Sequence, residues 1–151
     1  FGTTFAWKGL SLSAQFSWMA DRWVMNNDRF FEESNGLYST YNQSRRLLYD
    51  RWKKPGDITD IPRHGVYTEF DDRLLEDASF LRLKNLMLSY SFPQEWLRKT
   101  RFISGVKIYA QAQNLFTFTK FTGLDPEGSS NMYQAQYPMA RQFTFGLDLT
   151  F

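Results

Sequence analysis

"RQFTFGLDLTF", residues 141–151, decides how the rest of this sequence is read. Phe143, Phe145, Leu147, Leu149 and Phe151 fall on one parity, and Gln142, Thr144, Gly146, Asp148 and Thr150 on the other. Side chains of a β-strand alternate between its two faces, so a period of two sustained over this length is a strand with one apolar and one polar face. The same period recurs upstream. Leu10, Leu12, Ala14, Phe16 and Trp18 oppose Ser11, Ser13, Gln15 and Ser17, and Val106, Ile108, Ala110 and Ala112 oppose Lys107, Tyr109, Gln111 and Gln113.

Five strands are expected, at about 1–7, 10–25, 79–92, 105–119 and 141–151. Lys8-Gly9 reads as a tight hairpin turn, because glycine accepts the positive φ of such loops. In the strand at 79–92 the apolar parity slips at Lys84-Asn85, which predicts a bulge. Residues 93–100, opening on Pro93, read as a turn or a single helical turn. Two long connections, about 26–78 and 120–140, are polar, aromatic and turn-rich. Within the first, a helix is expected over Ser44–Trp52, capped by Asn42 and stopped at Lys54–Asp57. Short turns fall at one end of the strands and long loops at the other.

Composition narrows the function. Aromatic residues make up 19% of the 151 residues, yet mean hydropathy is −0.50, so apolar side chains are interleaved with polar ones. A net charge of +2 without a dense Lys/Arg stripe gives no footprint for a nucleic acid. With no cysteine, disulfides and thiolate metal sites are excluded. No run approaches the ~18 apolar residues of a membrane-crossing helix. That leaves membrane strands open, since they need only alternate. The chain begins Phe1-Gly2-Thr3 inside a strand, and it is expected to be a piece of a longer polypeptide.

Two architectures present strands with one apolar face. In a soluble sandwich that face meets a second sheet; in a transmembrane barrel it meets lipid, while the polar face lines a wet lumen. Three features favour the barrel. The polar faces carry neutral Ser, Gln and Thr rather than Lys and Glu. Aromatics gather near strand ends, with Trp7, Tyr90 and Phe92 at one side and Trp18, Trp23, Phe116 and Phe118 at the other, as in an interfacial girdle. The strands also match the ~9–11 tilted residues that cross a bilayer. A soluble all-β glycan-binding module is the alternative, and a passive porin would share the barrel.

An alternating final strand ending on Phe151 resembles the C-terminal signature of outer-membrane barrels, which the barrel-assembly machinery engages. Longer stretches resemble one family. "DASFLRLKNLMLSYSFP" (77–93), "VKIYAQAQNLFTFTKFTGLDPE" (106–127), "YPMARQFTFGLDLTF" (137–151) and "DRWKKPGDITDIPR" (50–63) closely resemble the C-terminal end of SusC/RagA-type TonB-dependent outer-membrane transporters. The resemblance implies an all-β fold, the last five antiparallel strands of a large, about 22-stranded transmembrane barrel with long extracellular loops. It implies import of oligosaccharides or peptides together with a SusD-like surface lipoprotein, in the outer membrane of a Gram-negative, Bacteroidota-type bacterium. The N-terminal plug and the segment that contacts the TonB complex have no counterpart in this sequence. The remainder of the barrel, lipid and lipopolysaccharide are the other expected partners.

Nothing in the sequence points to covalent chemistry. His64 has no neighbouring ligand or triad partner, and no phosphate loop or nucleophile elbow occurs. Glu69, Asp71, Asp72, Glu76 and Asp77 read as a solvated loop face, and Asp125 and Glu127 of "GLDPEG" as turn residues. Neither a catalytic residue, a metal site nor a cofactor is expected. The expected working residues are of two kinds. Phe143, Phe145, Leu147, Leu149 and Phe151 are expected to face lipid and carry the assembly signal. Tyr38, Tyr41, Trp52, Arg63, Tyr67, Tyr133 and Tyr137 are candidate loop contacts for substrate or partner, offering flat rings with polar tips and one guanidinium. Arg45, Arg46 and Arg51 would suit an anionic substrate or pair with nearby carboxylates.

Overall fold

The computed structural model describes residues 1–98 and 102–151. In chain order the elements are β1 (Gly2–Trp7), β2 (Leu10–Met19), β3 (Trp23–Asn26), α1 (Asn27–Glu32), α2 (Arg46–Tyr49), β4 (Leu75–Asp77), β5 (Phe80–Ser91), α3 (Gln94–Leu97), β6 (Gly105–Thr119), β7 (Met132–Tyr133) and β8 (Gln142–Thr150). They divide into two compact units, one of residues 1–19, 80–119 and 139–151, the other of residues 20–79 and 120–138.

The first unit is a five-stranded antiparallel sheet in the order β1-β2-β5-β6-β8. Lys8 and Gly9 close the β1–β2 hairpin with φ of 45° and 88°, the pair of left-handed residues a two-residue hairpin needs. Only glycine fits the second position, where a Cβ would stand 2.5 Å from the Ser91 carbonyl oxygen. The Ser91 amide donates to the Gly9 carbonyl at 2.8 Å, tying the turn to β5.

The parity slip is a bulge. Register shifts between Gln15/Phe16 on β2 and Leu83/Asn85 on β5, leaving Lys84 as the extra residue, and β6 accommodates it with Asn114 at φ 53°. Asn tolerates that conformation better than most residues, and its side-chain amide donates to the Ala140 carbonyl at 3.1 Å. The bulge keeps Leu81 and Leu83 on the same face as Leu86, Leu88 and Tyr90.

Four expectations need correction. The second strand ends at Met19 rather than near Met25, because Asp21 takes φ 54° and the backbone leaves the ladder. Trp23–Asn26 is a separate strand, and Trp23 therefore does not belong to the aromatic band of the five-stranded sheet. The expected helix over Ser44–Trp52 shrinks to Arg46–Tyr49; Asn42 does not cap it, and the Ser44 hydroxyl instead accepts from the Arg46 amide at 3.4 Å. Its downstream end is taken by other partners, since the Trp52 amide donates to the Ile61 carbonyl at 2.9 Å.

The long connections are also more than loops. Their second unit holds a three-stranded sheet, β4-β3-β7, in which β3 pairs antiparallel with β4 and parallel with β7. Val24, Ala78, Phe121 and Tyr133 form its buried cluster. Helix α1 begins at an Asn26 cap, whose side chain accepts from the Arg29 amide. That cap, with Asp28 in the first turn, is a signal readable in the sequence.

Candidate functional site

Cross-strand register, rather than any single residue, builds the first surface. Phe5, Leu12, Leu88, Ala110 and Phe145 stand in one row across the five strands, and Trp7, Leu10, Tyr90, Ile108 and Leu147 in the next. The opposite face carries Thr4, Ser13, Met87, Gln111 and Thr144 in a row of its own. Hydrogen bonds knit that polar face together: Gln111 Nε2 donates to Asn85 Oδ1 at 2.8 Å, Thr4 Oγ1 to Ser13 Oγ at 3.1 Å, and Arg82 Nε to Thr117 Oγ1 at 2.9 Å.

The apolar face is open. Phe143, Phe145, Leu147 and Leu149 are 64%, 80%, 58% and 44% exposed, and Phe151, just beyond β8, is 84% exposed. A soluble chain rarely leaves so continuous an apolar surface bare. In its aromatic margins Trp7, Trp96, Trp18, Phe116 and Phe118 are exposed, while Tyr90 and Phe92 are half-buried. Trp7 lies at the short-turn end, where Tyr90 packs edge-on against Phe92 and Phe92 tilts against Trp96, and Trp18, Phe116 and Phe118 lie at the other end. No helix among the described residues is long and apolar enough to cross a membrane.

The second surface belongs to the loop unit and is organised by charge. Glu33, whose side chain is 3% exposed, receives Arg29 at 3.1 Å and Arg46 at 3.0 Å; Arg29 also reaches Glu76 at 2.8 Å, and Arg46 reaches Asp60 at 3.1 Å. Five side chains thus bind α1, α2, β4 and the segment at Asp60 into one network. Burial works to raise the Glu76 carboxyl, but hydrogen bonds from Arg29 and Thr122 outweigh it and hold the group below its ordinary value. Asp60 is likewise held low: burial opposes, and the hydrogen bond and charge of Arg46 prevail. Arg46 is thus paired with Glu33 and Asp60, and its side chain stays 39% exposed.

The candidate loop contacts separate into groups. Trp52 and Arg63 come together, lining a shallow cleft of about 490 Å³ with Thr59, Asp60, Ile61 and Pro62. Tyr41 and Tyr133 line another, of about 790 Å³, with Asp28, Phe31 and Glu32. Tyr133 is only 5% exposed; it packs edge-on against Phe121, ring centroids 5.0 Å apart, and its hydroxyl accepts from the Leu124 amide at 2.9 Å. Tyr38 stands in an aromatic cluster with Phe30, Phe31 and Tyr41. Tyr67 and Tyr137 are 58% and 94% exposed and line neither cleft. Sequence reasoning missed Glu33 and Arg29, and it placed Glu76 on a solvated loop face, whereas its side chain is 10% exposed and paired with Arg29; these roles depend on pairing across 4 to 47 residues. Among the described residues no group of three His, Cys, Asp or Glu is placed to hold a metal.

No protein-family model matches the chain. Curated relatives do. TonB-dependent receptor P3 of Formosa agariphila is 35% identical over 117 residues, 69% of this chain and 12% of the relative. TonB-dependent receptor SusC of Bacteroides thetaiotaomicron is 42% identical over 80 residues, 53% of this chain and 8% of the relative. Solved structures of the RagAB peptide importer superpose on 99% of this chain at 41% identity, with TM-scores of 0.89 in the closed-closed and 0.90 in the open-open state, and each match takes up 16% of the RagAB chain. The chain thus spans less than a fifth of the length of these relatives. With 35% identity to a TonB-dependent receptor over 69% of its length and a superposition on RagAB over 99% of it, this chain belongs to the SusC/RagA family of TonB-dependent receptors.

Proposed function

We propose that this chain forms closing strands and outer loops of an outer-membrane, TonB-dependent nutrient importer. One observation carries the reading: five paired strands present a continuous exposed apolar face on one side and a hydrogen-bonded polar face on the other. Such a sheet suits a wall between hydrocarbon and a wet lumen. In hydrocarbon an unpaired strand edge costs several kcal/mol per orphaned group. β1 and β8 each have one neighbour in the sheet, and further strands of the same barrel would cover their outer edges.

In this reading the mechanism is gated passage without covalent chemistry. Energy would come from the TonB complex through a plug outside this chain, and insertion from the barrel-assembly machinery acting on Phe143–Phe151. The loop unit would meet an oligosaccharide or peptide, or a SusD-like lipoprotein lid, through Tyr38, Tyr41, Trp52, Arg63, Tyr67, Tyr133 and Tyr137. The RagAB relatives are peptide importers, which supports a nutrient of that size.

The test is an intact mass of the native polypeptide ending in "DLTF", taken from detergent-extracted membranes. The expected result is an outer-membrane species several times 17.9 kDa. A monodisperse 17.9 kDa protein in detergent-free buffer would overturn the importer and favour a soluble glycan-binding module.

A further inference from the structure

The apolar face is not flat. Ala110 sits between Leu88 on β5 and Phe145 on β8, and the low ground beside it is a groove of about 340 Å³ whose walls include Leu10, Tyr90 and Ile108. Ala112, next on the same face, lies between Leu86 and Phe143. From Ala112 to Ile108 the strand advances about 13 Å, close to the ~15 Å that one leaflet contributes to the hydrocarbon core. The Leu10–Tyr90–Ile108 row is the last before the Lys8-Gly9 turn, with Val106 and Leu149 one step beyond it on β6 and β8.

That end carries positive charge. Lys8, in the hairpin that leads into Leu10, holds its ammonium 5.1 Å from the Trp7 ring centroid, and Arg98 is exposed after α3. Among the described residues Lys8, Arg98 and Lys107 lie toward that end against Glu95 and Asp148, a small positive excess. Tyr90 adds a ring with a polar tip, the amphipathic shape favoured where acyl chains meet headgroups.

We infer that this groove holds one acyl chain of a phospholipid from the leaflet on the short-turn side, its phosphate drawn to the Lys8 end. The inference rests on the membrane placement proposed above. Lipid tails are as apolar as leucine, so hydrophobicity alone selects nothing there. Shape and head charge do the selecting: a chain lying over Ala110 gains contacts on three sides that a flat wall cannot offer.

The experiment is native mass spectrometry of the complete delipidated transporter in detergent, titrated with palmitoyl-oleoyl phosphatidylethanolamine. The wild-type protein should bind a first lipid about tenfold tighter than later ones, a difference of about 1.4 kcal/mol. Ala110→Phe fills the groove and should abolish that first step. Leu81→Phe, on the same face at the far end, should retain it. Equal binding of all lipids by the wild type, or an unchanged first step in Ala110→Phe, overturns the groove. Recovery of the wild type from the soluble fraction before any lipid is added overturns the membrane reading, and the groove with it.

Discussion

Tyr109 lies directly across Gly146, and the two are register partners on β6 and β8. A Cβ placed on Gly146 would stand 2.1–2.4 Å from Cζ, Oη and Cε1 of Tyr109. The tyrosine covers backbone that the glycine leaves bare, which locks the register of the last strand against β6. Gly146→Ala should therefore force the ring aside and cost about 1–3 kcal/mol, the range for overpacking a filled site. Urea unfolding of the folded barrel would measure it. Gly146→Ala combined with Tyr109→Ala should recover part of the loss; no recovery would mean that the ring is not the obstacle.

Leu147 and Thr144 test the two faces of the same strand. Leu147 is 58% exposed on the apolar face, in the row of Ile108, while Thr144 pairs with Gln111 on the polar one. Leu147→Arg should destabilise the barrel in lipid by up to ~2–4 kcal/mol, less if the residue lies toward the interface. Thr144→Arg should cost far less, because a lumen-facing charge stays hydrated. Equal costs in phospholipid vesicles would argue against a lipid-facing wall.

The strands were legible because each reports itself: period two needs no knowledge of any neighbour, and Lys84 betrayed its bulge by switching parity. The loop unit was not legible for the opposite reason. β3 gains its identity from β4 and β7, some 50 and 107 residues away in register, and nothing local in Trp23–Asn26 distinguishes it from a continuation of β2. Trp23 was misplaced on the aromatic margin for the same reason. For Arg46, pairing with carboxylates was one of two readings left open, because the sequence does not say that Glu33 and Asp60, 13 and 14 residues away, fold onto it. The site residues offered by ring chemistry alone, such as Tyr133, carry no information about burial.

Glu33 is the hinge of the charge network. Its carboxylate is nearly fully buried and serves Arg29 and Arg46 together. Removing one partner of a buried pair strands the others, at roughly 3–5 kcal/mol for full burial; Arg46 is 39% exposed, so hydration recovers part of that. Glu33→Ala should speed amide hydrogen exchange across α1, α2 and the segment at Asp60. Exchange in β5 and β6 should not change, because no residue of the network belongs to those strands. Uniform loosening of both units would contradict a local role.

Acid should act on the same network. The folded values of Glu76 and Asp60 lie below their ordinary 4.5 and 3.8, so both carboxylates bind protons more readily in the unfolded chain. Their contribution is complete above the unfolded values, fades as pH falls through that range, and is gone once the folded carboxylates are protonated. Between pH 7 and 5 the loop unit should keep constant resistance to an acid-tolerant protease. Below about pH 4.5, the ordinary value for Glu76, resistance should decline. Glu76→Gln removes one of the two titrating groups, so the variant should be less resistant at neutral pH and show a shallower acid decline than the wild type. A decline of the same steepness in the variant would place the acid sensitivity elsewhere.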